Sequence, residues 1–289
     1  MDNKVCIITG ANSGIGKQAA IQIAGQGIHV IIACRSEERG RKALAEIQTN
    51  IKHGSAELRL IDMASQRSVR SFAEEINRDF PKVDILINNA ADFNIARKQA
   101  EFSPEGIETV WAANHIGPML LTDLLLNMLK RSGGGRIINI SSKGLVVKSG
   151  LKVDLQDPEF KDRKYSVTTA YYQSKRAQEM YTLWLARQLE GTSVTANCLR
   201  VTNVKIDISR YPDLSAFMRF MYSIKSKKSI SPEQMARTYT YLALSDDVQG
   251  ISGKCFDENN KEVNLNSYTT DIGNIEAVIK LTKSYIKQP

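Results

Sequence analysis

The chain has 289 residues, with 39 Lys and Arg against 31 Asp and Glu, a formal net charge of +8. Hydrophobic residues make up 42% and charged residues 24%, which excludes a disordered chain, and 18 Gly with 7 Pro exclude a collagen-like or low-complexity one. The length admits roughly two domains or one large α/β domain, and no composition shift marks a linker, so the sequence predicts a single domain over residues 1–289.

In chain order, the polar Asp2, Asn3 and Lys4 ahead of Val5 lack the character of a signal peptide. Short apolar runs rich in Val and Ile then alternate with segments of helical period. The runs are Val5–Thr9, His29–Cys34, Glu57–Ile61, Val83–Asn88, Arg136–Ile140 and Ser193–Leu199. Helices are predicted near 14–25, 36–50, 65–79, 104–131 and 166–190. Continuously apolar strands are buried on both faces, so the alternation predicts an α/β fold: a doubly wound parallel sheet of about seven strands with helices on both faces.

The first βα turn reads Thr9-Gly10-Ala11-Asn12-Ser13-Gly14-Ile15-Gly16. Gly10 permits the tight turn, Gly14 a close backbone approach to a pyrophosphate, and Gly16 close packing of helix on sheet. Asn12 and Ser13 offer N-cap oxygens, and the helix start offers free N–H groups to phosphate. The second strand ends Ala33-Cys34-Arg35, where an NAD-selective site usually has a carboxylate for the ribose 2′-hydroxyl. A guanidinium instead pairs with a 2′-phosphate, and Lys17 adds a cation, so NADP(H) is the expected cofactor. A solvated Arg at a strand end is the plainer alternative.

Tyr171 and Lys175 are four apart in Ala170-Tyr171-Tyr172-Gln173-Ser174-Lys175, hence on one helix face. A phenol has an ordinary pKa of about 10. A nearby ammonium favours the phenolate and tunes it for proton transfer. Between positions 208 and 230, Phe217, Met218, Phe220 and Met221 alternate with Arg219, Lys225, Lys227 and Lys228. This segment reads as a packed helix, a substrate lid or a membrane-surface contact. Cys6, Cys34, Cys198 and Cys255 form no Cys-x-x-Cys pair, so neither a metal site nor a disulfide is expected. No apolar run reaches the ~18 residues of a membrane span, and the thiols suit a reducing compartment, so a cytoplasmic protein is expected. The basic residues are dispersed without aromatic interleaving, which argues against a nucleic-acid groove.

Taken together, Thr9–Gly16, Asp62, Asn88-Asn89-Ala90, Asn114, Ser141-Ser142 and Tyr171 with Lys175 resemble the short-chain dehydrogenase/reductase family over almost the whole chain. Ala33-Cys34-Arg35, Asn114-His115-Ile116-Gly117, the long insertion between Ser142 and Tyr171, and Ser231-Pro232-Glu233 leading to Ile251-Ser252-Gly253-Lys254 resemble its retinol dehydrogenase and protochlorophyllide reductase branch. The resemblance implies a Rossmann fold and an enzyme that interconverts a small carbonyl substrate and its alcohol. Tyr171 would be general acid/base, and Lys175 would hold the nicotinamide ribose. Ser142 would bind the substrate oxygen, with Ser141 a rival. Asn114 would hold a relay water or satisfy backbone in a helix kink. Asp62 would contact adenine, and Asn89 the adenosine ribose and nearby backbone. It also implies a homodimer through helices 104–131 and 166–190.

Two departures stand out. Ala91 replaces a usual Gly. Arg200-Val201-Thr202-Asn203 replaces a usual Pro-Gly pair, with Ile206 where a carboxamide-binding Thr is usual. That second change opens an alternative, a catalytically weak dinucleotide-bound scaffold. The apolar Phe217, Met218, Phe220 and Met221 favour a lipophilic aldehyde or ketone as substrate.

Overall fold

The computed structural model describes residues 4–205, 226 and 229–286. Strands β1 (Val5–Thr9), β2 (His29–Cys34), β3 (Ser55–Leu60), β4 (Ile85–Asn88), β5 (Arg136–Ser142), β6 (Thr195–Val201) and β7 (Cys255–Phe256) form one sheet in the order β3-β2-β1-β4-β5-β6-β7. Every neighbouring pair is parallel. Chain order reverses between β1 and β4, which is where a ligand crevice opens at the carboxyl edge of such a sheet.

Side-chain alternation explains the two layers. Val5, Ile7, Ile31, Ala33, Leu86, Ile137 and Ala196 face one core with α3 (Gln66–Asp79), α5 (Gly117–Arg131), α7 (Val167–Gln188) and α10 (Ile272–Tyr285). Cys6, Ile8, Val30, Ile32, Ile85, Ile87, Ile138, Ile140 and Leu199 face the other with α1 (Gly14–Ala24), α2 (Glu37–Asn50) and α8 (Pro232–Leu244). Serines start several helices by accepting a backbone N–H: Ser36 from Arg39, Ser65 from Ser68 and Ser166 from Thr169. Ser231 and Gln234 make a reciprocal capping box on α8.

Three sequence readings shift. β3 begins at Ser55, two residues before the apolar run, because pairing with β2 starts at His29↔Ser55. β6 lies two residues further on, at Thr195–Val201. The helix expected over 104–131 is divided into a single turn α4 (Thr109–Trp111), a π turn over Ala112–Ile116 and α5. Its first residues instead fold back, with a Phe102↔Glu108 bridge. A short α6 (Gly144–Val147) interrupts the insertion after β5.

The 208–230 segment, including Phe217, Met218, Phe220 and Met221, falls almost wholly outside the described residues, as does Ile206. No helix among the described residues is long and apolar enough to cross a membrane. The apolar faces of α5 and α7, on which the expected dimer rested, are in large part taken up within the chain. Ile275, Val278 and Ile279 of α10 share a core with Leu121, Leu125 and Met180. Lys283 stands 4.6 Å over the Trp184 ring.

Candidate active site

The turn after β1 and the start of α1 are held from two directions. Asn89, just past β4, donates its Nδ2 to the carbonyls of Thr9 (2.8 Å) and Gly10 (3.4 Å). Its Oδ1 accepts from the Tyr239 hydroxyl of α8 at 2.9 Å. Gly16 lies against this amide: a Cβ there would stand 2.6 Å from Asn89 Nδ2 and 2.9 Å from the Gly10 carbonyl oxygen. Asn89, more than helix–sheet packing, is therefore the reason for glycine at 16. Both ends of the Asn89 carboxamide thus shape the loop beside the expected ribose contact.

The same loop suits a phosphate. Gly14 adopts φ +56° with open space beside it. Ser13 is the N-cap of α1 but makes no side-chain capping bond, and the first turn of α1 carries no acidic residue. Asn12, Ser13 and Ile15 are half-buried and Gly14 is exposed, so this helix start faces outward.

Arg35 is exposed at the end of β2. Lys17 is not the second cation that the sequence suggested, because its ammonium is paired with Glu46 of α2. Burial raises the pKa of the Cys34 thiol at the strand end, and Arg39, in the first turn after the Ser36 cap, lies close enough for its charge to lower it. Asp62 closes a local turn by accepting from Ala64 N at 3.0 Å. Ala91 is exposed.

At the end of β5 the two serines diverge. Ser141 is 1% exposed and donates to Glu179 of α7 at 2.8 Å. Ser142 faces the other way, half-buried, its Oγ accepting from Gly144 N at 3.3 Å. Alternation along the strand leaves Ser142 as the hydroxyl that a ligand can reach. Lys175 is fully enclosed, and its Nζ donates to the Ile140 carbonyl at 2.7 Å, on the strand that carries Ser142. That ammonium is 5.8 Å from the Tyr171 ring centroid. Burial lowers the Lys175 pKa to about 8. The Tyr171 ring lies 4.4 Å from Phe93 and 5.2 Å from Tyr172, centroid to centroid. Phe93 comes from the loop after β4, and no spacing in the sequence pointed to it.

Asn114 sits inside the π turn, 1% exposed. Its Oδ1 accepts from Asp92 N at 2.6 Å, and its Nδ2 donates to Asp92 O and Ser174 Oγ. The side chain therefore braces the loop that carries Phe93, as in the helix-kink reading. A relay water could meet only its main chain. After β6, Arg200-Val201-Thr202-Asn203 does not turn away as Pro-Gly would. Val201 stays in the strand, and Asn203 and Lys205 pair with Ile230.

These side chains converge on the carboxyl edge of the sheet, beside the β1/β4 crevice. Residues 4–152 match the family model for short chain dehydrogenases. The chain is 37% identical over 262 residues to human retinol dehydrogenase 13, covering 88% of this chain and 76% of that protein. A solved protein from Mycobacterium paratuberculosis of unassigned function superposes with a TM-score of 0.75 at 25% identity, over 98% of this chain and 92% of that one. The structure of L-sorbose reductase from Gluconobacter frateurii, complexed with NADPH and L-sorbose, gives a TM-score of 0.70 at 21% identity, over 89% and 95%.

Proposed function

Since this chain belongs to the short chain dehydrogenase family, we propose that it is an NADP(H)-dependent oxidoreductase that interconverts a lipophilic aldehyde or ketone with its alcohol. The observation that carries this reading is the placement of Tyr171 and Lys175 on one face of α7, with Lys175 anchored to the strand that ends in Ser142.

The glycine turn, the outward start of α1 and its unengaged Ser13 cap fit a dinucleotide pyrophosphate. Gly10, Asn12, Ser13, Gly14, Ile15 and Gly16 would line it. Asp62 would meet the adenine, and Arg35 and Arg39 would pair with a 2′-phosphate. When bound, the nicotinamide supplies or accepts the hydride. The protein's own part is the proton. Lys175 is still mainly protonated at pH 7, since its pKa is held near 8. Its charge beside the Tyr171 ring stabilises the phenolate and so eases proton transfer between Tyr171 Oη and the substrate oxygen. Ser142 Oγ donates to that same oxygen as negative charge builds on it. Phe93 shields one face of the Tyr171 ring from water.

Exposed apolar side chains, Ile95, Phe102 and Leu155 in loops and Val147 at the end of α6, support a lipophilic substrate. Retinal and medium-chain aliphatic aldehydes are therefore the first substrates to test. NADPH absorbance is followed with this panel in wild type and Tyr171→Phe. We expect turnover in wild type and a loss of about 100-fold or more in the variant, with NADPH binding by fluorescence retained. Equal slow rates in both proteins favour the dinucleotide-bound scaffold, which the unusual run of Arg200 to Asn203 motivates.

A further inference from the structure

A second cleft, of about 200 Å³, is lined in part by Arg176 and Glu179 of α7, and not by Ser142, Tyr171 or Lys175. Four elements build it: the segment after Ser142, α7, the end of β6 and the loop after β7. Arg176, Glu179, Arg200 and Asn264 are the polar groups that matter there.

Arg176 is 2% exposed. It donates to Thr269 Oγ1 at 2.8 Å and to the carbonyls of Lys148 and Ser149, which fixes its guanidinium in place. Its Nε, the Nε of Arg200 and Oε2 of Glu179 are buried without hydrogen-bond partners among the described residues. Glu179 is 1% exposed and spends Oε1 on Ser141, while Oε2 stands 3.7 Å from Arg176 Nη1. Three such atoms among the residues that line one cleft are unusual in a native protein.

Charge decides what fills it. Two guanidiniums oppose one carboxylate, and burial pushes the Glu179 carboxyl up to about 7. Glu179, Cys198 and Cys255 do bring three metal-ligating atoms within 4.8 Å of one another. Burial nevertheless keeps the Cys198 thiol protonated, and both arginines repel a cation. An anion is attracted by both guanidiniums and opposed by the one carboxylate. Donors approach from α7, from β6 and, through Asn264, from the loop after β7. Such a spread suits a tetrahedral oxyanion. Hydrogen phosphate adds a P–OH that can donate to Glu179 Oε2.

We propose that this cleft is a phosphate-binding site, distinct from the dinucleotide crevice, in which Arg176 and Arg200 hold the anion and Glu179 accepts its hydroxyl. Bound phosphate ties the segment after Ser142 to the end of β6.

The test is calorimetric titration of the NADP⁺-loaded protein with inorganic phosphate at constant ionic strength, set by chloride. A second titration with glycerol phosphate decides whether the phosphate is free or borne by an ester, since the ester binds more tightly only if the cleft continues beyond the phosphate. We expect one saturable site per chain, present with NADP⁺ bound and without it. It should weaken at least tenfold in Arg200→Gln and in Asn264→Asp. The second variant changes an exposed loop residue and so holds the test if the first fails to fold. No saturable heat in wild type overturns the proposal. So does unchanged affinity in Asn264→Asp, or a site seen only in the cofactor-free protein, which locates the phosphate in the dinucleotide crevice.

Discussion

Gly16 shows how one missing methyl serves a whole crevice. With a Cβ 2.6 Å from Asn89 Nδ2, Gly16→Ala forces the amide off the Thr9 and Gly10 carbonyls. We expect a loss of about 1–3 kcal/mol in stability, the usual cost of overpacking. NADPH affinity should fall further than stability requires. Denaturant unfolding and cofactor fluorescence measure the two separately. At the other end of the dinucleotide, Arg35→Asp should lower the ratio of kcat/KM for NADPH over NADH on the order of tenfold or more, because a carboxylate repels the 2′-phosphate. An unchanged ratio leaves Arg35 as a solvated strand-end residue. The glycine turn and the shared helix face of Tyr171 and Lys175 were legible in the sequence because each depends only on local spacing. Asn89 to Tyr239, Lys17 to Glu46 and Ser141 to Glu179 were not, since each joins residues far apart in sequence that meet only when helices settle on the sheet.

Among the elements, the π turn is the one that periodicity concealed. Residues 104–131 read as a single apolar helix, and nothing local announces the extra residue per turn over Ala112–Ile116. Its cause is tertiary. Asn114 must reach the Asp92 backbone on one side. His115, fully buried, meets Thr282 Oγ1 at 2.7 Å and Gln178 Oε1 at 3.4 Å on the other. Burial lowers the His115 pKa to about 4 from an ordinary 6.5. The unfolded chain therefore takes up this proton first as pH falls, and stability drops between pH 6.5 and 4, by roughly 3 kcal/mol from this one group. Glu179 and Asp123, whose carboxyls burial raises to about 7 and about 6, act in the opposite sense over an overlapping range. The readout is therefore the difference between wild type and His115→Gln. The variant should lose less stability than wild type on going from pH 7 to pH 4 in urea unfolding, and parallel curves refute the assignment. The strands were easier to read. Those buried on both faces gave unbroken apolar runs, whereas β3 opens with the exposed Ser55 at a sheet edge and its start was missed.

Over the whole molecule, α10 is the element that completes the fold. It sets Ile275, Val278 and Ile279 into the core between α5 and α7 and extends Tyr285, whose hydroxyl donates to Glu159 at 3.0 Å. Burial of three aliphatic side chains contributes about 1.5–3 kcal/mol each. A chain ending at Asp271 should therefore lose several kcal/mol, and its uncovered α5 and α7 faces should drive self-association. Light scattering and calorimetry on the full and shortened chains test this. We expect the full chain to unfold in a single transition and to run as a monomer at micromolar concentration. A stable dimer of the full chain means that the pairing expected from the sequence uses surface left beside α10.

The hydroxyl of Tyr239 reaches back across the molecule to the amide that shapes the first glycine turn. During synthesis the helix bearing Tyr239 leaves the ribosome 150 residues after Asn89. The final shape of the glycine turn therefore waits on a contact made long after the turn itself has been synthesised.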